Sequence, residues 1–101
     1  MTLGDVIEEA AAELGLEGTP DTDGATRYAS GAGLVFVTVD AAGLAAAFRL
    51  DRVLASAALR TPDTRPSARG DLWVEFAPAE VDDHAVDRAQ AWFAAAYRRA
   101  G

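Results

Sequence analysis

Two predicted strands carry the side chains best suited to ligand recognition. LAAAFRL and DLWVEF each alternate, which places Arg49 on the first strand, and Trp73 and Glu75 on the second, opposite the large apolar side chains. An indole can stack on a planar ligand while a guanidinium holds its anionic group. We therefore predict that Arg49, Trp73 and Glu75 form a ligand-binding site. In the alternative interpretation, Trp73 packs beneath residues 19–24 or a neighbouring helix with Arg49 stacked on it.

A second candidate surface is basic. Five arginines and two acids occupy residues 49–70, whereas residues 1–25 contain seven acids and no basic residue. A local surplus of positive charge can attract phosphates even in a chain with a net charge of −7. The candidate nucleic-acid contacts are Arg52, Arg60, Arg65 and Arg69. The alternative is a solvated surface in which Arg60 complements a helix dipole, and the acidic composition without lysine favours that alternative.

No residue pattern supports catalysis, and we predict a non-enzymatic protein without a metal or cofactor. The absence of cysteine excludes thiolate nucleophiles and cysteine-ligated metal sites. His84 is the only histidine, and with Asp83 and Asp87 it could hold a cation or act as an acid or base. The alternative, a surface position at the start of a helix, is the one we favour. The RGD at residues 69–71 joins a loop to a strand and is interpreted as coincidence.

Three helices are predicted from apolar periodicity and capping residues. Thr2 followed by Asp5 resembles a capping box. Asp51 is predicted to cap a second helix, and Asp82 or Asp83 a third. The inward residues expected in the second helix are Val53, Leu54, Ala57 and Ala58. Those expected in the third are Ala85, Ala89, Trp92, Phe93, Ala96 and Ala100.

The predicted fold class is α+β. The strands TRYAS, LVFVTV, LAAAFRL and DLWVEF complete the element order α-β-β-β-α-β-α. Because short turns join the strands, we expect an antiparallel sheet with the helices packed on one face. A single domain over residues 1–101 follows, since folding at this length removes roughly 65% of the unfolded chain's surface from water.

The chain is expected to be cytoplasmic. MTLGDVIEEA lacks the basic segment and apolar run of a signal peptide, and no apolar stretch approaches the about 20 residues that span a bilayer. We expect a monomer or a weak homodimer and no membrane partner.

The layout resembles that of the MmcQ/YjbR family of small bacterial proteins and, more distantly, the N-terminal domain of TfoX-like proteins. The resemblance is carried by the N-terminal helix, the hairpin YASGAGLVFVTVDAAGLAAAFRL, the short helix after it, DLWVEFAP with Trp73, and the terminal DRAQAWFAAAYRRA. It spans nearly the whole chain. It implies a DNA-binding function and no catalytic motif.

Two functions are therefore predicted. The first is a binding protein that takes an anionic small ligand or a protein on the sheet face and the arginine-containing loop of residues 60–70. The second is DNA binding through an arginine patch formed by Arg52, Arg60, Arg65 and Arg69. A steep loss of affinity with increasing salt would identify this function.

Overall fold

The computed structural model describes residues 1–100, which form three helices and six strands. The helices are α1 (Leu3–Glu13), α2 (Arg52–Ala58) and α3 (Asp83–Ala100). The strands are β1 (Thr19–Pro20), β2 (Thr26–Ala29), β3 (Val35–Val39), β4 (Ala46–Arg49), β5 (Thr64–Pro66) and β6 (Trp73–Phe76). None of the helices in this range is both long and apolar enough to cross a membrane.

All six strands form one antiparallel sheet in the order β1-β2-β3-β4-β6-β5. α1 packs against α3, and α3 packs against β3 and β4. This arrangement confirms the predicted α+β class, an antiparallel sheet with helices packed on it. The observed element order, α-β-β-β-β-α-β-β-α, contains two more strands than predicted.

The two unpredicted strands lie at the sheet edges and form only by pairing with a neighbour. β1 has two residues and β5 has three, and they contain Pro20 and Pro66 respectively. Proline has no N–H to donate, so within sheets it is confined to edges or bulges. Segments this short show no alternation from which a strand can be predicted. The same prolines make both edges poor templates for a strand from another chain.

α3 anchors the core by laying aromatic rings on the inner face of the sheet. Trp92 meets Phe48 of β4 and Phe76 of β6 edge-on, with ring centroids 5.9 and 5.1 Å apart. Phe93 meets Phe36 of β3 in the same way at 5.4 Å. Edge-to-face packing sets the positive ring edge against the negative ring face. One helix thereby holds three adjacent strands.

A β-bulge in β3 brings two consecutive residues into the core. Tyr28 of β2 pairs with Val37, whereas Ala29 pairs with Val35, so Phe36 is an extra residue on β3. A bulge re-aims a side chain that simple alternation would place outside. Phe36 and Val37 are accordingly both fully buried.

Two glycines bring the start of α1 against the β3-β4 turn. The N–H of Gly4 donates to the carbonyl of Gly43 at 2.9 Å, and a Cβ on Gly4 would lie 3.2 Å from the Gly43 Cα. The predicted capping box is confirmed, because the Thr2 hydroxyl accepts from the Asp5 N–H and the Asp5 carboxylate accepts from the Thr2 N–H. The helix start and the turn are thus in direct backbone contact.

The predicted inward face of α2 is largely wrong. Val53 is 82% exposed and Ala57 is exposed, whereas Ala55 and Ala58 are buried and Leu54 is partly buried. Small side chains three residues apart let the helix approach β6 closely, so packing selects the alanine face. In seven residues rich in alanine and leucine, periodicity alone does not distinguish the faces.

The caps and the inward face of α3 agree with the sequence pattern. The Asp51 carboxylate accepts from the Leu54 N–H at 2.8 Å, and Asp82 accepts from the Ala85 N–H at 2.8 Å. Asp82 is therefore the cap of α3. The predicted inward residues of α3 are buried, with Ala100 packed at the margin of the core.

We expect Trp92→Ala to lower the free energy of unfolding by about 3–5 kcal/mol, because it removes the ring that joins two strands to α3. Urea denaturation measures this loss. Gln90→Ala, an exposed change on the same helix, should change stability by less than about 0.5 kcal/mol. Equal effects of the two substitutions would contradict the anchoring role of Trp92.

The capping box should make stability pH-dependent. The Thr2 N–H, and then its hydroxyl, hold the pKa of Asp5 below its usual value of 3.8. A carboxylate whose pKa is lower in the folded state stabilises the fold above its unfolded pKa and loses that contribution as the pH falls through the folded one. The stability advantage of the wild type over Asp5→Asn should therefore shrink in acid. A difference that urea melts find constant with pH would contradict this.

Candidate binding site on the outer sheet face

The outer face of the sheet carries a row of polar and small side chains that crosses five strands. Successive Cα partners in this row are Arg27, Thr38, Ala47, Glu75 and Arg65. Their neighbours along β4 and β6 are buried against the helices. Strict alternation therefore turns the row away from the core.

Glu75, a predicted ligand-binding residue, is already held by Arg65. Nε and Nη2 of Arg65 donate to the two carboxylate oxygens of Glu75 at 3.1 and 2.9 Å. This hydrogen-bonded contact raises the pKa of the Arg65 guanidinium above its ordinary value. A carboxylate neutralised at both oxygens no longer repels an approaching anion. Glu75 thus positions Arg65 and leaves the outer face without a free negative charge at this point.

Trp73 is flanked by two arginines, Arg49 and Arg69, and neither forms an ion pair within residues 1–100. Arg49 is its Cα partner on β4, and the guanidinium of Arg69 lies 5.5 Å from the ring centroid. Trp73 and Arg49 are half-buried, and Arg69 is exposed. A guanidinium stacked on an indole keeps its N–H donors free at the ring margin. The arrangement can therefore offer an aromatic surface and two positive charges to an anionic group.

The loop between β5 and β6 positions Arg69 through local hydrogen bonds. The Ser67 N–H donates to the Trp73 carbonyl at 3.1 Å, and the Trp73 N–H donates to the Gly70 carbonyl at 3.1 Å. The Arg69 N–H donates to the Ser67 hydroxyl at 3.2 Å. These bonds fold the loop back so that Arg69 reaches the ring.

The structure brings together residues that the sequence assigned to two different sites. Arg65 and Arg69, predicted nucleic-acid contacts, lie against Glu75 and Trp73, predicted ligand contacts. The guanidinium over the indole belongs to Arg69. The alternative interpretation of Trp73 places Arg49 there. Because β5 was not predicted, no sequence pattern indicated that Arg65 pairs with Glu75.

The remaining candidates lie apart from this cluster. Arg52 on α2 and Arg60 in the turn after it are exposed and form no ion pair in the described part of the chain. His84 is exposed in the first turn of α3. Over residues 1–100, no group of three or more histidine, aspartate or glutamate side chains is arranged to hold a metal ion.

The outer face is shallow. A depression of about 230 Å³ lies on it, lined by small residues such as Thr38 and Ala47 and by Ser67, Arg69 and Asp40. Small-molecule sites in proteins are usually clefts of about 300–1,000 Å³. This depression would leave much of a small ligand in water.

A larger cleft, which no sequence pattern indicated, lies between α1, the loop after it and the β3-β4 turn, and measures about 600 Å³. Gly18 forms part of its wall. A Cβ at this position would overlap the Cγ2 methyl of Thr26 and lie 3.0 Å from Cζ of Tyr28. The glycine-rich composition of residues 15–24 predicts a loop, but only the folded chain places that loop over the Tyr28 ring.

No protein-family model matches this chain, and no curated protein matches it significantly. The resemblance to the MmcQ/YjbR family stays a prediction.

We expect Gly18→Ala to destabilise the fold by about 1–3 kcal/mol, because the added methyl collides with Thr26 and the Tyr28 ring. Thermal or urea unfolding measures the loss. Gly31→Ala is the matched control, since a Cβ there meets no atom within 4 Å. If both substitutions were neutral, the loop would not lie on the ring as described.

Proposed function

We propose that this protein is a non-enzymatic binding domain that holds an acidic segment of a protein partner on the outer face of its sheet. The observation that carries the proposal is Trp73 flanked by Arg49 and Arg69, neither of which has an ion-pair partner within residues 1–100. Tryptophan and arginine are the residues most enriched among those that dominate protein interface energies. A carboxylate-rich segment would complement both guanidinium groups.

The shape of the surface favours a polypeptide over a small ligand. The depression of about 230 Å³ is smaller than a usual small-molecule site. Edge-strand addition is disfavoured at both edges by Pro20 and Pro66. A partner would therefore contact the face of the sheet, where side chains and not backbone groups provide the contacts.

The arginines are partly preorganised for this role. The β5-β6 loop holds Arg69 over the indole. Arg49 directly follows Phe48 on β4, and the fully buried Phe48 fixes the position of the strand at this point. Fixing these groups before binding reduces the side-chain entropy lost on association. The ion pair of Arg65 with Glu75 removes a negative charge that would otherwise oppose the partner.

The proposal is tested by titrating the full chain with a glutamate-rich peptide containing one tyrosine while following backbone amide shifts by NMR. We expect saturable shifts at residues 49 and 67–73. Arg49→Gln and Arg69→Gln should each weaken binding about tenfold, the value expected for losing a charge-assisted hydrogen bond. Arg52→Gln removes the same charge from an exposed site on α2 and should leave the affinity unchanged.

The same variants distinguish DNA binding through the arginine patch. In that case a mixed-sequence duplex would bind with an affinity that falls steeply with salt, and Arg52→Gln would weaken it as much as Arg69→Gln. That result, or a peptide affinity equally sensitive to all three substitutions, would overturn binding at Trp73.

A further inference from the structure

The outer-face site lies around Trp73, on the side of the sheet that no helix covers. Arg49 and Arg69 flank the indole and have no ion-pair partner among residues 1–100. Two unpaired guanidinium groups around an aromatic ring fit a segment that carries two carboxylates beside an apolar side chain. This chain contains such a segment at the end of α1.

The end of α1 carries negative charge that is locally unfavourable. Glu9 and Glu13 lie one helical turn apart, both are exposed, and neither forms an ion pair in the part of the chain that the structure describes. Like charges at this spacing repel each other. Glu13 is also the last residue of α1, where the helix dipole favours a cation, and the last turn has no basic residue. A positively charged partner would relieve both effects.

An exposed apolar side chain lies beside these carboxylates. Leu14 directly follows Glu13, forms the C-cap of α1 and is 43% exposed. Protein interfaces commonly pack apolar side chains at the centre of the contact and charged groups around them. Glu9, Glu13 and Leu14, called the acidic helix end below, therefore have the chemistry that matches Trp73 and its two arginines.

The acidic helix end and the outer-face site cannot meet within one molecule. α1 packs against α3, and α3 covers the inner face of the sheet. Trp73 lies on the outer face, because the next residue of β6, Val74, is fully buried and side chains alternate along a strand. The sheet thus separates the two surfaces, and only a second molecule can bring them together.

We propose that the partner bound at Trp73 is a second copy of this chain. This inference rests on the proposed function, because it identifies the acidic partner of the same site. The acidic helix end of one molecule lies against the outer face of the next, with its two carboxylates facing Arg49 and Arg69 and with Leu14 on the indole. Each molecule uses a different surface for each neighbour, so the contact is head-to-tail.

The net charge of −7 determines the conditions under which the contact forms. Two copies repel each other at long range, but at about 0.1 M salt, charges farther apart than about 10 Å are largely screened. The opposite charges in direct contact then decide the outcome. At about 1 M salt the screening length falls to about 3 Å, and exposed charge pairs are weakened as well. We therefore expect association at moderate salt that is lost at high salt.

The test measures the molar mass of the full chain by sedimentation equilibrium over a range of protein concentrations. At about 0.1 M salt the mass should rise with concentration, and at about 1 M salt it should stay that of the monomer. Arg49→Gln with Arg69→Gln removes the basic surface, and Glu9→Gln with Glu13→Gln removes the acidic one. Each double variant alone should associate about tenfold more weakly than the wild type, because two exposed charge pairs are lost.

Mixing these two double variants tests the head-to-tail geometry. The arginine variant keeps its acidic helix end and the glutamate variant keeps its basic surface, so the mixture should form a one-to-one dimer with the wild-type contact affinity and nothing larger. The matched controls are Arg52→Gln with Arg60→Gln, and Glu80→Gln with Asp87→Asn. These change the net charge equally at exposed positions outside both surfaces and should leave association unchanged.

Failure of this inference is distinguishable from failure of the proposed function. If the glutamate-rich peptide binds at Trp73 while the wild type stays monomeric, the second copy is not the partner and the proposed function stands. If the wild type associates but the mixed variants do not, or if the controls weaken association equally, the head-to-tail contact is overturned. If neither the peptide nor a second copy binds, both proposals are overturned. If the contact is correct, the peptide should dissociate the assembly by competing for Trp73.

Discussion

The packing of α3 on the inner face of the sheet is the constraint on which the other features depend. Trp92 touches Phe48 and Phe76 on adjacent strands, and this contact determines which face of β4 and β6 is inside. Since side chains alternate along a strand, the residues beside those phenylalanines, Arg49 and Glu75, must lie outside. A shift of one residue in either strand would exchange the two sets. The outer-face site is therefore a consequence of how the core is packed.

Close backbone approach is the second constraint, and it shapes the cleft. Gly4 and Gly43 allow α1 to meet the β3-β4 turn without an intervening side chain, and Gly18 allows the next loop to cover the Tyr28 ring. Both contacts are possible because a Cβ is absent at these positions. The cleft is the space left between these contacts, and its acidic lining consists of Asp5, Glu8, Glu17 and Asp40.

Charge separation gives the molecule two surfaces of opposite character. Three acids of the first 25 residues, Asp5, Glu8 and Glu17, line the cleft beside α1. The arginines of the β4 and β5-β6 segments lie around Trp73 on the outer face. A local field, and not the net charge, determines what each surface attracts. An acidic chain can accordingly present a basic face.

The sequence by itself determined the caps of α1 and α2, the inward stripe of α3, the alternation of β4 and β6, and the α+β class. Each is encoded in residues close together in the chain, where side-chain periodicity and capping chemistry act directly. Only the tertiary structure decided the two proline-containing edge strands, the alanine face of α2, the pairing of Arg65 with Glu75 and the position of Arg69 over Trp73. The tertiary structure also decided the cleft between α1 and the β3-β4 turn. All of them depend on contacts between segments distant in the chain, and for such contacts pairing and close packing outweigh local preference.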